Sequence, residues 1–132
     1  MKKADLYMNY LREEGYAPKL DGDGDVQFKF EGLTYCIFAE EDDREYFRIS
    51  LPNFWPIESE EERRQVVVAC NEATAGVKVG KVYPVGDNVW ASLEMLIDPI
   101  EDFPKFFRRS LLILSACTMR FRESMSNRIE TQ

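Results

Sequence analysis

The sequence predicts an α+β fold in which three helices accompany a mainly antiparallel sheet of five strands. Segments with alternating apolar and polar residues are separated by short turns rich in Gly and Asp, as in an antiparallel meander. Segments with apolar residues at helical spacing occur at both ends and in the middle of the chain. The predicted order is α-β-β-β-α-β-β-α, and the 132 residues are expected to form one domain, 1–132.

The first half of the chain predicts one helix and three strands. Apolar residues at helical spacing favour a helix over residues 3–15, with Gly15 as its end. Alternation of apolar and polar residues then favours strands at 26–30, 33–39 and 46–51. The short connections between these strands indicate that neighbours in sequence are also neighbours in the sheet.

The second half predicts two strands between two helices. Ser59 followed by Glu62 matches a capping box, so the second helix is expected to begin directly after Ser59. Strands are expected at 79–85 and 89–97, joined by a tight turn. A long final helix is expected from about residue 102 to about residue 126.

The order and lengths of these elements resemble those of the class I type III secretion chaperones and the related YbjN family of bacterial proteins. The resemblance to the YbjN family lies in two stretches, LDGDGDVQFKFEGLTYCIF and VVVACNEATAGVKVGKVYPVGDNVWASLEMLID. In such proteins a helix with an asparagine, here Asn71, leads into a Gly-Lys-Val strand, here residues 80–82. The resemblance implies a type III secretion chaperone-like fold and a protein-binding module, commonly dimeric, without catalytic residues.

The composition disfavours several classes of partner. A formal net charge of -7 opposes binding to phosphate backbones and anionic membranes, so neither a nucleic acid nor a membrane is expected as partner. No apolar run has the length of a bilayer span or follows the charged N-terminus as in a signal peptide. The three cysteines are odd in number and widely spaced, which fits buried thiols in a reducing compartment. We therefore expect a cytoplasmic protein.

The residues give no pattern typical of an enzyme or a metal site. The chain contains no histidine, which removes the commonest general base and the commonest transition-metal ligand. Asp21, Asp23 and Asp25 alternate like the start of a calcium loop, but Val26 and Gly32 stand where that loop needs Gly and Glu. A solvated hairpin turn is the interpretation that fits. We expect no catalytic residue, no cofactor and no metal.

One face of the predicted sheet combines aromatic and basic side chains. Strict alternation places three aromatic residues there, with Lys29 and Arg48 among them. If helices cover only the other face, this surface is open and suited to binding a protein; the alternative is burial beneath the first helix. Another aromatic residue lies in the loop before the second helix. The predicted partner-binding residues are Phe38, Tyr46, Arg48, Trp55 and Trp90.

The final helix has apolar residues on three adjacent faces, so it is expected to be buried on more than one side. Either it is wedged between the sheet and the first helix, or its additional face forms a subunit interface. The second interpretation predicts a homodimer. The predicted interface residues are Leu112, Ala116 and Met119.

The patterns and the family resemblance together predict a non-catalytic protein-binding module, chaperone-like or regulatory, of the YbjN type. Its partner or client is a protein whose identity the sequence does not give. Two alternatives stay open. One is a dedicated type III secretion chaperone, and the other is a small-ligand-binding or enzymatic domain with a pocket near Trp55 and Trp90.

Overall fold

A computed structural model describes the backbone of residues 1–130 and the side chains of residues 1–128. Within this range the chain forms three α-helices, six strands and one 3₁₀ turn, Ile100–Asp102. The helices are α1 (Lys3–Glu13), α2 (Glu60–Gly76) and α3 (Pro104–Glu130). The strands are β1 (Lys19–Leu20), β2 (Val26–Phe30), β3 (Leu33–Phe38), β4 (Tyr46–Leu51), β5 (Gly80–Val85) and β6 (Asn88–Leu96).

The strands form a single antiparallel sheet with the order β1-β2-β3-β4-β6-β5. The predicted α+β class and antiparallel pairing are confirmed, but the prediction of five strands is wrong. The sixth strand is β1, in which Lys19 and Leu20 pair with Gln27 and Val26. Two residues are too few to display an alternation of apolar and polar side chains, so this strand left no periodic signal in the sequence.

The core lies between one face of the sheet and the helices. Tyr7 of α1 packs edge-on against Phe47 of β4, with ring centroids 6.0 Å apart, and Phe107 of α3 lies 5.6 Å from Phe28 of β2. Val66 of α2 belongs to the same buried cluster. Alternation along the strands sends these apolar residues to one side, so the helices gather on that side.

Lys3 fixes the start of α1 to the sheet. Its side chain is fully buried, and Nζ donates hydrogen bonds to the backbone carbonyls of Asp43 and Tyr46, at the start of β4. Burial lowers the pKa of Lys3, while the nearby carboxylates of Glu41 and Asp43 oppose that shift. A charged residue therefore holds α1 against the connection between β3 and β4.

The start of α2 follows the predicted capping pattern. The Ser59 hydroxyl accepts a hydrogen bond of 3.1 Å from the backbone N–H of Glu62. The Glu62 carboxylate in turn accepts one of 2.7 Å from the N–H of Glu58. These bonds satisfy backbone donors that a helix start leaves unpaired, and the predicted beginning of α2 is confirmed.

The outer edge of β5 is closed to further strand pairing. Thr74 of α2 accepts a hydrogen bond of 2.9 Å from the backbone N–H of Val82 and donates one of 3.3 Å to its carbonyl. Pro84, on the same strand, has no N–H to offer. Natural sheets use such devices against uncontrolled edge pairing, so an extended partner strand is not expected here.

Replacing a core residue of the central strands should destabilise the protein. We expect Leu93→Ala and Phe47→Ala each to lower the free energy of unfolding by about 2–5 kcal/mol, because both side chains are fully buried. Phe30→Ala should cost less, since Phe30 is only partly buried. Val67, 52% exposed on α2, provides the control: Val67→Ala should stay within about 0.5 kcal/mol. Urea denaturation measures all four, and an unchanged midpoint for Leu93→Ala would mean that the strand faces are inverted.

Candidate functional site

The face of the sheet opposite the helices is uncovered in residues 1–130, because α1, α2 and α3 all contribute to the core on the other side. We call this surface the open face. Four of the five predicted partner-binding residues lie on it, and the structure adds three more large side chains from β5 and β6. The large side chains that contact one another on it are Phe38, Tyr46, Arg48, Lys81, Tyr83, Trp90 and Glu94.

Small residues form the floor of the open face. The strand register places Cys36, Ser50 and Ser92 side by side on β3, β4 and β6. The two serine hydroxyls are hydrogen-bonded at 2.6 Å, and both serines are fully buried although no helix covers them. Larger side chains of the open face must therefore lie across this row.

Four large side chains cover the serine row. The rings of Phe38 and Trp90 are stacked, with centroids 6.4 Å apart and planes 24° from parallel. The guanidinium carbon of Arg48 lies 4.2 Å from the Phe38 centroid, and Arg48 Nη2 donates a 2.9 Å hydrogen bond to the Tyr83 hydroxyl. The residues beneath are small, and these side chains hold one another in place above them.

Glu94 joins the charged groups of the open face. Its carboxylate pairs with the Lys81 ammonium, accepts a hydrogen bond from the Tyr46 hydroxyl, and lies 3.9 Å from Arg48 Nε. Burial acts to raise the pKa of Glu94, but the bonds to Lys81 and Tyr46 outweigh it and the pKa is lowered. Burial, with the Glu94 bond, raises the pKa of Tyr46 to about 12. Neither group titrates near neutral pH, which does not suit proton transfer.

Trp55 lies apart from the open face. Its ring packs edge-on against Phe121 of α3 at 5.3 Å, and the Arg122 guanidinium lies 5.7 Å from its centroid. Trp90 instead donates its ring N–H to the side-chain oxygen of Asn53 at 3.0 Å. The two tryptophan rings are therefore on opposite faces of the sheet, and the structure does not join them in one pocket.

Asp21, Asp25 and Cys36 come together at the rim of the open face, with one candidate ligand atom from each within 4.8 Å of the others. Both carboxylates accept hydrogen bonds from the backbone. Asp21 accepts from the N–H groups of Asp23 and Asp25, and Asp25 accepts from the N–H of Ala39. Burial raises the pKa of the Cys36 thiol to about 12, so this sulfur stays protonated. The cluster serves to shape the turn before β2.

A second surface follows the outer side of α3. Leu112 and Met119 are each 62% exposed, about two turns apart on the helix, with half-buried Ala116 between them. We call Leu112, Ala116 and Met119 the α3 ridge; they are the predicted interface residues. The sheet and the other helices leave this stripe unpacked in the described part of the chain.

An apolar groove of about 480 Å³ runs beside the α3 ridge, between α3 and the connection from α2 to β5. Val79 in its wall has a φ of 69°, which is unfavourable for a β-branched residue. The next residue, Gly80, approaches α3 so closely that a Cβ would lie 2.5 Å from the sulfur of Cys117. The apolar lining comes from Val77, Val79, Met95, Phe106 and Ile113, with Lys78 and Arg109 beside them.

Tyr83 and Glu94 of the open face were not among the partner-binding residues predicted from the sequence. The register places Glu94 directly opposite Arg48 and Tyr83 opposite Trp90. An opposite-charge pair across neighbouring strands is a recognisable signal once the pairing is assigned. Here β4 pairs with β6, so the chain passes through α2 and β5 before the partner residue appears.

Comparison of the chain with protein-family models and with curated protein sequences gives no match. The likeness to the YbjN family and the type III secretion chaperones therefore stays an expectation from the sequence. No helix in the described residues is long and apolar enough to cross a lipid bilayer.

The Asp21–Asp25 turn should bind calcium no more tightly than about millimolar, because its carboxylates already accept backbone hydrogen bonds and the loop lacks the Glu of a calcium site. Calorimetric titration of the protein with calcium measures this. An affinity in the micromolar range would overturn the interpretation of the segment as a turn.

Proposed function

We propose that the chain is a non-catalytic protein-binding module, chaperone-like or regulatory, which holds a partner segment on the open face. The observation that carries this proposal is the placement of all three helices on one side of the sheet, which leaves aromatic and basic side chains uncovered on the other. Exposed surfaces of this composition are typical of protein-binding sites. The partner is a protein rather than a nucleic acid or a membrane.

The open face is suited to binding because its side chains are already ordered. Trp, Tyr and Arg dominate the residues that contribute most to protein interfaces. On the open face Trp90, Tyr83 and Arg48 are held by stacking and hydrogen bonds before any partner arrives. Binding then costs little side-chain entropy, which favours affinity.

The thiols support the non-catalytic part of the proposal. Burial raises the pKa of Cys36 and of Cys70 to about 12, and that of Cys117 to about 11. A nucleophilic cysteine needs a lowered pKa to form the thiolate near neutral pH. These three thiols fit the role of small buried residues in a reducing, cytoplasmic environment.

The resemblance of the sequence to the YbjN family and to type III secretion chaperones supports the same function and a chaperone-like fold. A dedicated secretion chaperone is the alternative within this class. A small-ligand site near Trp55 and Trp90 has less support, since the two rings lie on opposite faces of the sheet.

We also propose that two copies of the chain pair along the α3 ridge. Leu112 and Met119 expose most of their apolar surface, Leu112 also borders an apolar groove, and such a patch favours association. Twofold pairing lets one self-complementary patch serve both subunits. Pairing on α3 leaves the open face free, because it lies on the other side of the sheet.

Truncating the aromatic pair of the open face should weaken partner binding. We expect Phe38→Ser and Trp90→Ser each to reduce capture of the partner by about tenfold or more, since they remove central contact residues. Immobilised protein, incubated with extract of the native cell and analysed by quantitative mass spectrometry, measures the loss. Val67→Ser on exposed α2 is the matched control and should capture normally. Unchanged capture by folded Phe38→Ser and Trp90→Ser protein would place the binding surface elsewhere.

Charging the α3 ridge should separate the subunits. In Leu112→Glu two carboxylates would face each other across the twofold axis, so light scattering should give a mass near 15.4 kDa, with the circular dichroism spectrum retained. Val67→Glu places the same charge at an exposed position of α2, away from the α3 ridge, and should leave the dimer intact. At ~100 μM protein, a dimer with a micromolar dissociation constant would be almost fully associated. A wild-type protein that is monomeric at this concentration would contradict the dimer.

A further inference from the structure

The α3 ridge has a differently charged flank on each side. On one side, the apolar groove carries Lys78 and Arg109. On the other, a second cavity of about 540 Å³ is bordered by Glu14 and Glu31, with Arg108 also reaching it. The first flank is therefore basic. The second is acidic, because its two glutamates outnumber its one arginine. Leu112 borders both cavities, so it stands at the boundary between the flanks.

The strand order explains why the flanks lie on opposite sides of α3. The basic flank is built from the connection between α2 and β5 and from Met95 of β6. The acidic flank is built from the end of α1 and from Phe30 at the end of β2. Strands β6 and β5 form one end of the sheet and β1 and β2 the other, and α3 lines the cavity on each side.

The charges of the two flanks are unsatisfied within the subunit. Across the side chains that the structure describes, Lys78, Arg109, Glu14 and Glu31 take part in no ion pair, whereas two other cations of α3 do. Lys105 pairs with Asp102 at 3.4 Å, and Arg128 pairs with Glu72. The flanks therefore keep their charge available for a group outside the subunit.

Two twofold arrangements can bury Leu112 against its own copy. With the axis perpendicular to α3, the helices run antiparallel and each flank meets the same flank of the partner. With the axis parallel to α3, the helices run in the same direction and each basic flank meets an acidic flank. Like charges placed opposite each other disfavour the first arrangement, and opposite charges favour the second.

We infer that the second copy docks on the α3 ridge with its α3 parallel, so that Lys78 and Arg109 of each subunit face Glu14 and Glu31 of the other. This arrangement rests on the proposed dimer and specifies its geometry. The apolar ridge supplies the association, and the flanks select the orientation. Each contact occurs twice, once on either side of the axis.

Charge exchange within one chain tests the arrangement. In the parallel dimer, Arg109→Glu and Glu31→Arg should each weaken dimerisation by about tenfold at low salt, because each creates two repulsive contacts. The double variant, Arg109→Glu with Glu31→Arg, restores opposite charges and should return the dissociation constant to within about threefold of wild type. Sedimentation equilibrium measures the constants, and Arg64→Glu, at a site 77% exposed on α2, is the charge-matched control.

The outcomes separate the arrangement from the dimer itself. A tighter dimer for Arg109→Glu would indicate that equal flanks meet, which overturns the parallel arrangement. Constants that do not respond to either charge reversal, with Leu112→Glu still monomeric, would overturn it as well and leave the dimer standing. A wild-type protein without self-association would remove both.

Discussion

The alternation of side chains along β4 and β6 is the constraint on which both surfaces of the sheet depend. In β4, Phe47, Ile49 and Leu51 enter the core, while Arg48 and Ser50 between them point to the open face. A shift of one residue in register would exchange the two sets and lose the core and the open face together. The packing that stabilises the fold therefore also specifies the proposed site.

A sheet face without a helix needs another way to remain compatible with water. Here the row of small residues formed by Cys36, Ser50 and Ser92 leaves room for larger side chains to cover it. Phe38 is then covered by the Arg48 guanidinium on one side and by Trp90 on another. Apolar carbon is partly shielded while rigid aromatic surface remains accessible, which is the compromise that a preformed binding face requires.

The regular spacing of apolar residues in the sequence predicted those features of the fold that produce a regular spacing. Alternation indicated the antiparallel α+β fold and placed Phe38 and Trp90 on the same face. Features without a regular spacing were not predicted. Strand β1 has only two residues, and the burial of Lys3 depends on backbone carbonyls some 40 positions away. Trp55 lies in a loop, where no repeat indicates direction, and the structure places it against α3. Long-range pairing, as between Arg48 and Glu94, needs the sheet order first.

The two proposed surfaces are compatible because the sheet separates them. The α3 ridge lies on the helical side, and the open face lies on the other. A dimer that pairs through α3 therefore carries its two open faces on its outer surfaces, pointing away from each other. A partner with two binding segments could then engage both, provided that its chain reaches around the dimer, and the second contact would form at a high effective concentration. The proposed pairing through α3 would thus strengthen the binding of such a partner on the open face without adding a contact to it.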